Sequence, residues 1–105
     1  MERRKPYELV ISDMTKHMME SHVRFLALRN VDASRRIKNS IIQAIATLRE
    51  NPERFPFLDV HGIPRNIYRK LFVKNWYLVL FQIQGQEVLV EYIVDCRSDY
   101  KWLLE

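Results

Sequence analysis

The apolar positions of the N-terminal third follow an extended pattern first and a helical one afterwards. Residues 7–12 (YELVIS) follow Pro6 and are rich in β-branched and aromatic side chains, which predicts a short strand. From residue 14 to residue 29 the apolar side chains recur at helical spacing, and Ser12 or Asp13 is suited to be the N-cap. The apolar face predicted for this helix comprises Met14, Met18, Phe25 and Leu28, with Met19, Val23 and Leu26 beside it.

A second helix is predicted after a break of only three residues, 30–32 (NVD). Asp32 is suited to cap a helix over residues 33–50, and Asn51-Pro52 ends it because proline cannot continue the helical hydrogen bonding. Such a short break predicts an antiparallel helical hairpin. The apolar stripe of the second helix comprises Ile37, Ile41, Ala44, Ile45 and Leu48.

From residue 67 onward the apolar period changes to that of strands. Residues 67–74 alternate, so that Arg69 lies on an apolar face while Lys70 and Lys74 share the other face with aromatic side chains. Residues 76–83 are almost wholly apolar, which predicts a central strand covered on both sides. After turns at residues 74–75 and 84–86, residues 87–94 form a further strand. One face of that strand is predicted to carry Val88, Val90, Tyr92 and Val94.

The element order is therefore β-α-α-β-β-β, an α+β fold. The last three strands are predicted to form an antiparallel meander, and the helical hairpin packs on one face of the sheet because its apolar stripe needs a partner. The first strand joins the same sheet, but the pattern leaves its neighbour open. Residues 51–66, with three prolines and a glycine, are predicted to be a loop. At 105 residues the chain is expected to form a single domain, 1–105.

Composition supports this globular interpretation. Hydrophobic residues make up 48% of the chain and charged residues 29%, which excludes a disordered or low-complexity protein. The start of the chain lacks the apolar core of a signal peptide, and no apolar run approaches the roughly 20 residues that cross a bilayer. We therefore expect a cytoplasmic protein that is not associated with membranes.

The net charge of +4 is concentrated in one stretch of the chain. Residues 60–75 contain four cations and no anion, so the remaining residues sum to zero. Aromatic side chains are interleaved with these cations, and such a combination suits phosphates and bases. The alternative is a solvated strand whose lysines protect a sheet edge. The four cations are Arg65, Arg69, Lys70 and Lys74.

Other kinds of chemistry find little support. His17 and His22 are five residues apart and so do not share a helical face, and His61 is the remaining histidine. Cys96 is the single cysteine, which excludes an internal disulfide and leaves no metal-binding pattern. We expect surface histidines, a partly buried cysteine, no metal and no cofactor. A small cluster in residues 95–100 combines an acid, a guanidinium and a phenol at a strand end, a usual place for functional groups. The alternative is that these residues form a C-terminal cap.

Three segments, in this order after the strand-helix-helix opening, resemble toxins of bacterial toxin–antitoxin pairs in the RelE/ParE superfamily. LRENPERFPFLD (48–59) is similar to the stretch that follows the second helix in that family. IYRKLFVKNWYLVLFQI (67–83) looks like the family's pair of strands, and VEYIVDCRSDY (90–100) looks like its closing strand and tail. The resemblance covers nearly the whole chain.

The resemblance implies a toxin that is neutralised by a cognate antitoxin protein. RelE-like members bind the ribosome and cut mRNA, where the 2′-OH attacks the adjacent phosphate. Such an enzyme must remove one proton, stabilise negative charge and protonate the leaving oxygen. ParE-like members instead inhibit DNA gyrase, which needs no hydrolytic chemistry.

Residue by residue, the carry-over from the family is partial. Arg69 falls where RelE-like toxins have a basic residue facing the RNA, Arg97 matches their closing-strand arginine, and Tyr100 matches a terminal tyrosine. Asp99 replaces the histidine of one RelE-like variant. The catalytic set that the resemblance implies is therefore Arg69, Arg97, Asp99 and Tyr100, and the nucleic-acid-binding set is Arg65, Lys70 and Lys74.

Three positions depart from the RelE-like pattern. Leu78 stands where an arginine is expected after Tyr77, and Pro56 takes the place of a glutamate. Leu71 takes the place of a second lysine, for which Lys70 or Lys74 could substitute. An electrostatic clamp that lacks its central arginine loses a factor of about 10²–10³ in rate.

The resemblance thus favours a ribosome-dependent mRNA endoribonuclease that inhibits translation, with ribosome and mRNA as partners. The alternative is a gyrase inhibitor without nuclease activity. A third interpretation needs no family: a small basic domain that binds nucleic acid. Growth arrest on expression, relieved by the product of a neighbouring gene, would distinguish both toxins from the third class.

Overall fold

Four strands and two helices follow one another in the predicted order. The computed structural model describes residues 5–74 and 76–96. Within them, residues 47–49 and 52–54 form short 3₁₀ turns. The helices and strands are β1 (Glu8–Ile11), α1 (Asp13–Ala27), α2 (Val31–Ala46), β2 (Arg69–Val73), β3 (Tyr77–Gln84) and β4 (Glu87–Asp95).

Side-chain caps define where both helices begin. Ser12 caps α1, and its Oγ accepts a hydrogen bond from the N–H of Thr15 at 3.1 Å. Asn30 caps α2 by accepting from the N–H of Ala33 at 2.9 Å. The prediction that Asp32 would be this cap is wrong. Asp32 instead lies in the first turn, where its carboxylate meets the positive end of the helix dipole.

The sheet has the strand order β1-β4-β3-β2. The meander of β2, β3 and β4 is antiparallel, as predicted. β1 pairs with β4 in parallel, from Glu8 opposite Glu87 to Ile11 opposite Val90, so the complete sheet is mixed. The helical hairpin makes this arrangement possible because it carries the chain from β1 at one edge to β2 at the other.

β3 is buried on both faces along residues 77–81. Tyr77, Val79 and Phe81 point towards the helices, where the predicted stripe of α2 packs on them. Leu78 and Leu80 point to the other face, which we call the second face. The segment predicted only as a loop supplies the cover there, through Leu58, Val60 and Ile63.

The apolar face predicted for α1 is confirmed on one side and wrong on the other: Leu26 lies in the core with Met19 packed against it, whereas Met14, Phe25 and Leu28 are exposed. Phe25 is 59% exposed and Leu28 81% exposed, whereas Thr15 is completely buried. Two polar side chains orient the helix: Thr15 Oγ1 lies 3.1 Å from the carbonyl of Val90 and 2.7 Å from that of Glu91. His22 Nε2 donates to the carbonyl of Ile93 at 2.8 Å, so this histidine is half-buried rather than a surface residue.

A bulge at Glu91 reverses the face alternation of β4. Val90 lies opposite Phe81 and Tyr92 lies opposite Leu80, which leaves Glu91 as the extra residue. Val88 and Val90 therefore face the helices, while Tyr92 and Val94 face the other way. The single face predicted for Val88, Val90, Tyr92 and Val94 is wrong for this reason. None of the described helices is long and apolar enough to cross a membrane.

We expect Thr15→Val to lower the free energy of unfolding by about 1–3 kcal/mol, because two carbonyls of β4 lose a buried hydroxyl partner. Urea unfolding followed by circular dichroism measures the change. Thr47→Val is the matched control, since the Thr47 hydroxyl also donates to a carbonyl but at an exposed site, and should cost less than about 0.5 kcal/mol. Equal effects of the two substitutions would contradict the orienting role of Thr15.

Candidate functional site

Arg69, a predicted catalytic residue, is held by the loop that precedes β2. Its Nη1 donates to the carbonyls of Phe55 at 2.6 Å and of Glu53 at 3.0 Å. The guanidinium carbon also lies 4.0 Å from the centre of the Phe57 ring, a cation–π contact. These contacts fasten residues 53–57 to the sheet, so Arg69 has a structural role whatever else it contacts.

The other predicted nucleic-acid-binding residues lie in separate surroundings. Arg65 forms an exposed ion pair with Asp59 at 3.2 Å. Lys70 on β2 lies opposite Leu80 on β3, so its side chain points to the second face of the sheet. Lys74 occupies the turn after β2 with a φ of 54° and lines a cavity beside α2. The stretch that is continuous in sequence is therefore not one continuous basic surface.

The centre of the second face is apolar. Phe72, Leu78 and Val94 lie in one row across β2, β3 and β4. Leu78 is completely buried, and Leu58 packs in the same cluster. Leu78 is the residue that replaces the expected arginine, so a hydrocarbon side chain without access to solvent occupies that position.

One end of the second face carries a polar cluster that the sequence did not reveal. Burial and then a hydrogen bond to Glu91 raise the pKa of Tyr68 to about 12, so its phenol is neutral at physiological pH. Gln82 Nε2 donates to Glu91 Oε1 at 3.0 Å, and the Tyr68 and Tyr92 rings meet edge to face at 5.9 Å. The bulge in β4 directs the Glu91 side chain to this cluster. A strict alternation of faces along β4 does not predict this bulge.

The end of β4 leads towards the remaining predicted catalytic residues. Asp95 is buried, and Cys96 packs half-buried against the apolar cluster of the second face. Burial, followed by the nearby Asp95 charge, raises the pKa of the Cys96 thiol, which therefore remains protonated and weakly nucleophilic at neutral pH. Arg97, Asp99 and Tyr100 lie outside the described residues.

Metal chemistry has no candidate ligand set in the described part of the chain. Among residues 5–74 and 76–96, no three His, Cys, Asp or Glu side chains come together as metal ligands. His22 is engaged with the β4 carbonyl of Ile93, and His17 lies beside it in an apolar cavity on α1.

Comparisons with known proteins identify the fold. No family model matches the sequence, and the search of curated proteins found no match. A chain of the solved structure "Chromosomal ParDE TA system from P. aeruginosa" superposes with a TM-score of 0.69 at 13% identity. The alignment covers 85% of this chain and 95% of that chain. The fold is therefore RelE/ParE-like, which confirms the fold class expected from the sequence.

We expect Arg69→Ala to lower the free energy of unfolding by about 1.5–3 kcal/mol, because two carbonyls lose a charged donor. Arg69→Lys should recover only part of this loss, since an ammonium group cannot reproduce the guanidinium stacking on Phe57. Arg65→Ala is the control, because its ion pair with Asp59 is exposed and contributes little. Urea unfolding of the three variants tests this, and an unchanged stability of Arg69→Ala would exclude the anchoring role.

The raised pKa of Tyr68 predicts a specific dependence of stability on alkaline pH. The folded pKa exceeds the ordinary value of 10.0, so the stabilising contribution is complete below pH 10 and is lost as pH rises through about 12. Because Tyr68→Phe removes the hydrogen bond to Glu91, the variant should be less stable than the unaltered protein at pH 8, by about 1 kcal/mol. The difference should narrow above pH 10, and a constant difference in urea unfolding from pH 8 to pH 11 would contradict the assignment.

Proposed function

We propose that the chain is the toxin of a toxin–antitoxin pair and that it inhibits its target by binding rather than by cutting RNA. The likeness of its fold to a chain of the ParDE system supports the first part. A single observation carries the second part: Leu78, at the position where RelE-like toxins have an arginine, is completely buried in an apolar cluster.

Cleavage of RNA passes through a pentacoordinate phosphorus, and the protein must stabilise the negative charge that develops on its oxygens. On the second face, the row centred on Leu78 offers only apolar side chains. Arg69, which the resemblance places facing the RNA, donates two guanidinium hydrogen bonds to carbonyls of the loop that precedes β2. The described part of the chain therefore supports a binding surface better than a phosphodiesterase centre.

The target of such a binder is proposed from the resemblance to ParE-like toxins. Those members inhibit DNA gyrase, and a solved structure with a similar fold is that of a ParDE system. The proposed partners are accordingly a cognate antitoxin and DNA gyrase.

A ribosome-dependent mRNA endoribonuclease is the second candidate. The sequence Cys96-Arg97-Ser98-Asp99-Tyr100 favours it, because this stretch matches the tail of a RelE-like variant at the arginine and the tyrosine. In that case Arg97 and Tyr100 would supply the charge stabilisation and the proton transfer, with Asp99 as the base.

Expression in cells tests the toxin function, and two assays on the purified protein separate the two candidates. We expect growth arrest on expression, relief by the product of the adjacent reading frame, inhibition of DNA supercoiling by gyrase, and no cleavage of mRNA on translating ribosomes. Primer extension detects cleavage, and gel electrophoresis of plasmid topoisomers measures supercoiling.

The variants Arg97→Ala and Tyr100→Ala provide the controls. If mRNA cleavage occurs and either substitution abolishes it, the ribonuclease is correct and the binding mechanism is wrong. If expression of the folded protein leaves growth unchanged, the toxin function itself is wrong, and salt-dependent binding to a nucleic acid would then favour the small basic binding domain.

A further inference from the structure

A cavity of about 570 Å³ lies between α2 and the turn that joins β2 to β3. Its volume falls within the range of roughly 300–1,000 Å³ that is typical of sites for small molecules. Helix α2 contributes Ala33, Arg36, Ile37 and Ser40, whose spacing of three and four residues places them along one face of the helix. We call this site the α2 cavity.

The walls of the α2 cavity include a substantial apolar surface. Ala33 and Ile37 supply it from the helix, and the indole of Trp76 supplies it from the turn. Trp76 is 43% exposed, although tryptophan is a side chain that folded proteins on average bury to a large extent. An indole in this position offers a flat aromatic face on which a planar ring can stack. The α2 cavity therefore suits a ligand that contains an aromatic ring.

Two cations line the same cavity. Arg36 comes from α2 and Lys74 from the turn. Among the residues that the structure describes, no Asp or Glu lines the cavity, and neither cation forms an ion pair with a carboxylate. A phosphate monoester carries a charge of about −1.5 to −2 at pH 7, which two cations balance. The ligand that suits the aromatic wall should therefore also carry a phosphate.

The backbone at Lys74 supports a role beyond the turn itself. Its φ of 54° lies in the left-handed region, which a residue with a side chain enters at a cost. The N–H of Trp76 donates to the carbonyl of Val73 at 3.2 Å and closes the turn. Glycine or asparagine adopts this conformation more readily, so the turn does not itself require a lysine. The lysine does place an ammonium group at the α2 cavity.

Two uncharged polar side chains complete the lining. Asn39 and Ser40 follow Arg36 by three and four residues, so all three belong to the same side of α2. The amide of Asn39 offers both donors and an acceptor, and the hydroxyl of Ser40 offers one of each kind. Such groups can bind the edge of a base and the hydroxyls of a sugar. The combination of an aromatic wall, two cations and these groups fits a nucleotide.

The number of cations favours a free nucleotide over a nucleic-acid strand. A strand brings one charge with each nucleotide, and a site that follows it carries cations along its length. The α2 cavity adjoins a second one of about 330 Å³, and the two share Ser40 and Lys74. Among the described residues that line this second cavity, Lys74 is the only cation. A further phosphate would therefore find no additional positive charge there.

We propose that the α2 cavity binds a free purine nucleoside monophosphate. The base stacks on Trp76, since a purine covers more of an indole than a pyrimidine does, and the phosphate lies between Arg36 and Lys74. The bound nucleotide connects α2 to the turn and so stabilises the folded chain in proportion to its concentration. This inference does not depend on the toxin function, because it concerns binding by the purified protein alone.

Calorimetric titration of the purified full chain with AMP tests the proposal. Arg36→Ala should weaken binding by about tenfold, because it removes a charged hydrogen-bond donor to phosphate. Lys74→Asn should weaken it similarly while it keeps the turn, since asparagine tolerates the left-handed conformation. Arg35→Ala is the matched control, because Arg35 is an exposed cation of the same helix outside the cavity lining, and its affinity should be unchanged.

The aromatic wall has its own test. In a Trp102→Phe background Trp76 is the single tryptophan, and its emission should change on titration with AMP. Trp76→Ala should weaken binding of AMP by about tenfold, since stacking on an aromatic side chain is lost. Phe25→Ala is the control, because Phe25 is an exposed aromatic residue of α1 and does not line the cavity. Its affinity for AMP should equal that of the unaltered protein.

Comparison of ligands shows which parts of the nucleotide matter. Adenosine, ribose 5-phosphate and inorganic phosphate should each bind at least tenfold more weakly than AMP, and CMP should bind more weakly than AMP. Equal binding of inorganic phosphate and AMP would reduce the site to a simple anion site and overturn the proposal. Absence of AMP binding at millimolar concentration, or equal affinity of Arg36→Ala and Arg35→Ala, would also overturn it. A 5′-phosphorylated tetranucleotide that binds tenfold more tightly than AMP would identify a nucleic-acid end as the ligand, and the free nucleotide would be wrong.

Discussion

Burial of β3 on both faces is the constraint on which the rest of the structure depends. Five consecutive residues, Tyr77 to Phe81, are shielded from solvent, so a chain of only 105 residues must cover both faces of its sheet. The helical hairpin covers one face, and apolar residues of a proline-containing loop cover the other. Arg69 is part of this solution because its hydrogen bonds fasten the loop segment 53–57 to the sheet.

Polar contacts at β4 then determine how the helical hairpin meets the sheet. β1 pairs with β4 only as far as Val90, and beyond that point α1 lies beside the strand. The hydroxyl of Thr15 and the imidazole of His22 reach three carbonyls there, those of Val90, Glu91 and Ile93. The same bulge that brings the Glu91 carbonyl to Thr15 directs the Glu91 carboxylate to Tyr68 and Gln82 on the second face.

The distribution of charge explains why a basic sequence does not amount to a basic active site. The four cations of residues 60–75 have different roles: Arg65 pairs with Asp59, Arg69 anchors a loop, Lys70 points to the second face of the sheet, and Lys74 lines a cavity beside α2. Arg36, which lies outside residues 60–75, lines the same cavity as Lys74. Proximity in three dimensions therefore combines a different pair of charges from the one that proximity in sequence suggests.

The sequence by itself determined the order and type of the elements, the meander of the last three strands and the double burial of β3. These features depend on local periodicity and on turns of a few residues. The apolar stripe predicted for α2 is confirmed because it packs on the apolar face of the sheet. Tertiary structure alone decided the rotation of α1, the parallel pairing of β1 and the bulge at Glu91. Each depends on hydrogen bonds between groups far apart in the chain, such as Thr15 and Val90, which no local pattern encodes. The sequence likewise indicated Arg69 as a functional cation, but only the fold shows that it donates hydrogen bonds to the carbonyls of Glu53 and Phe55.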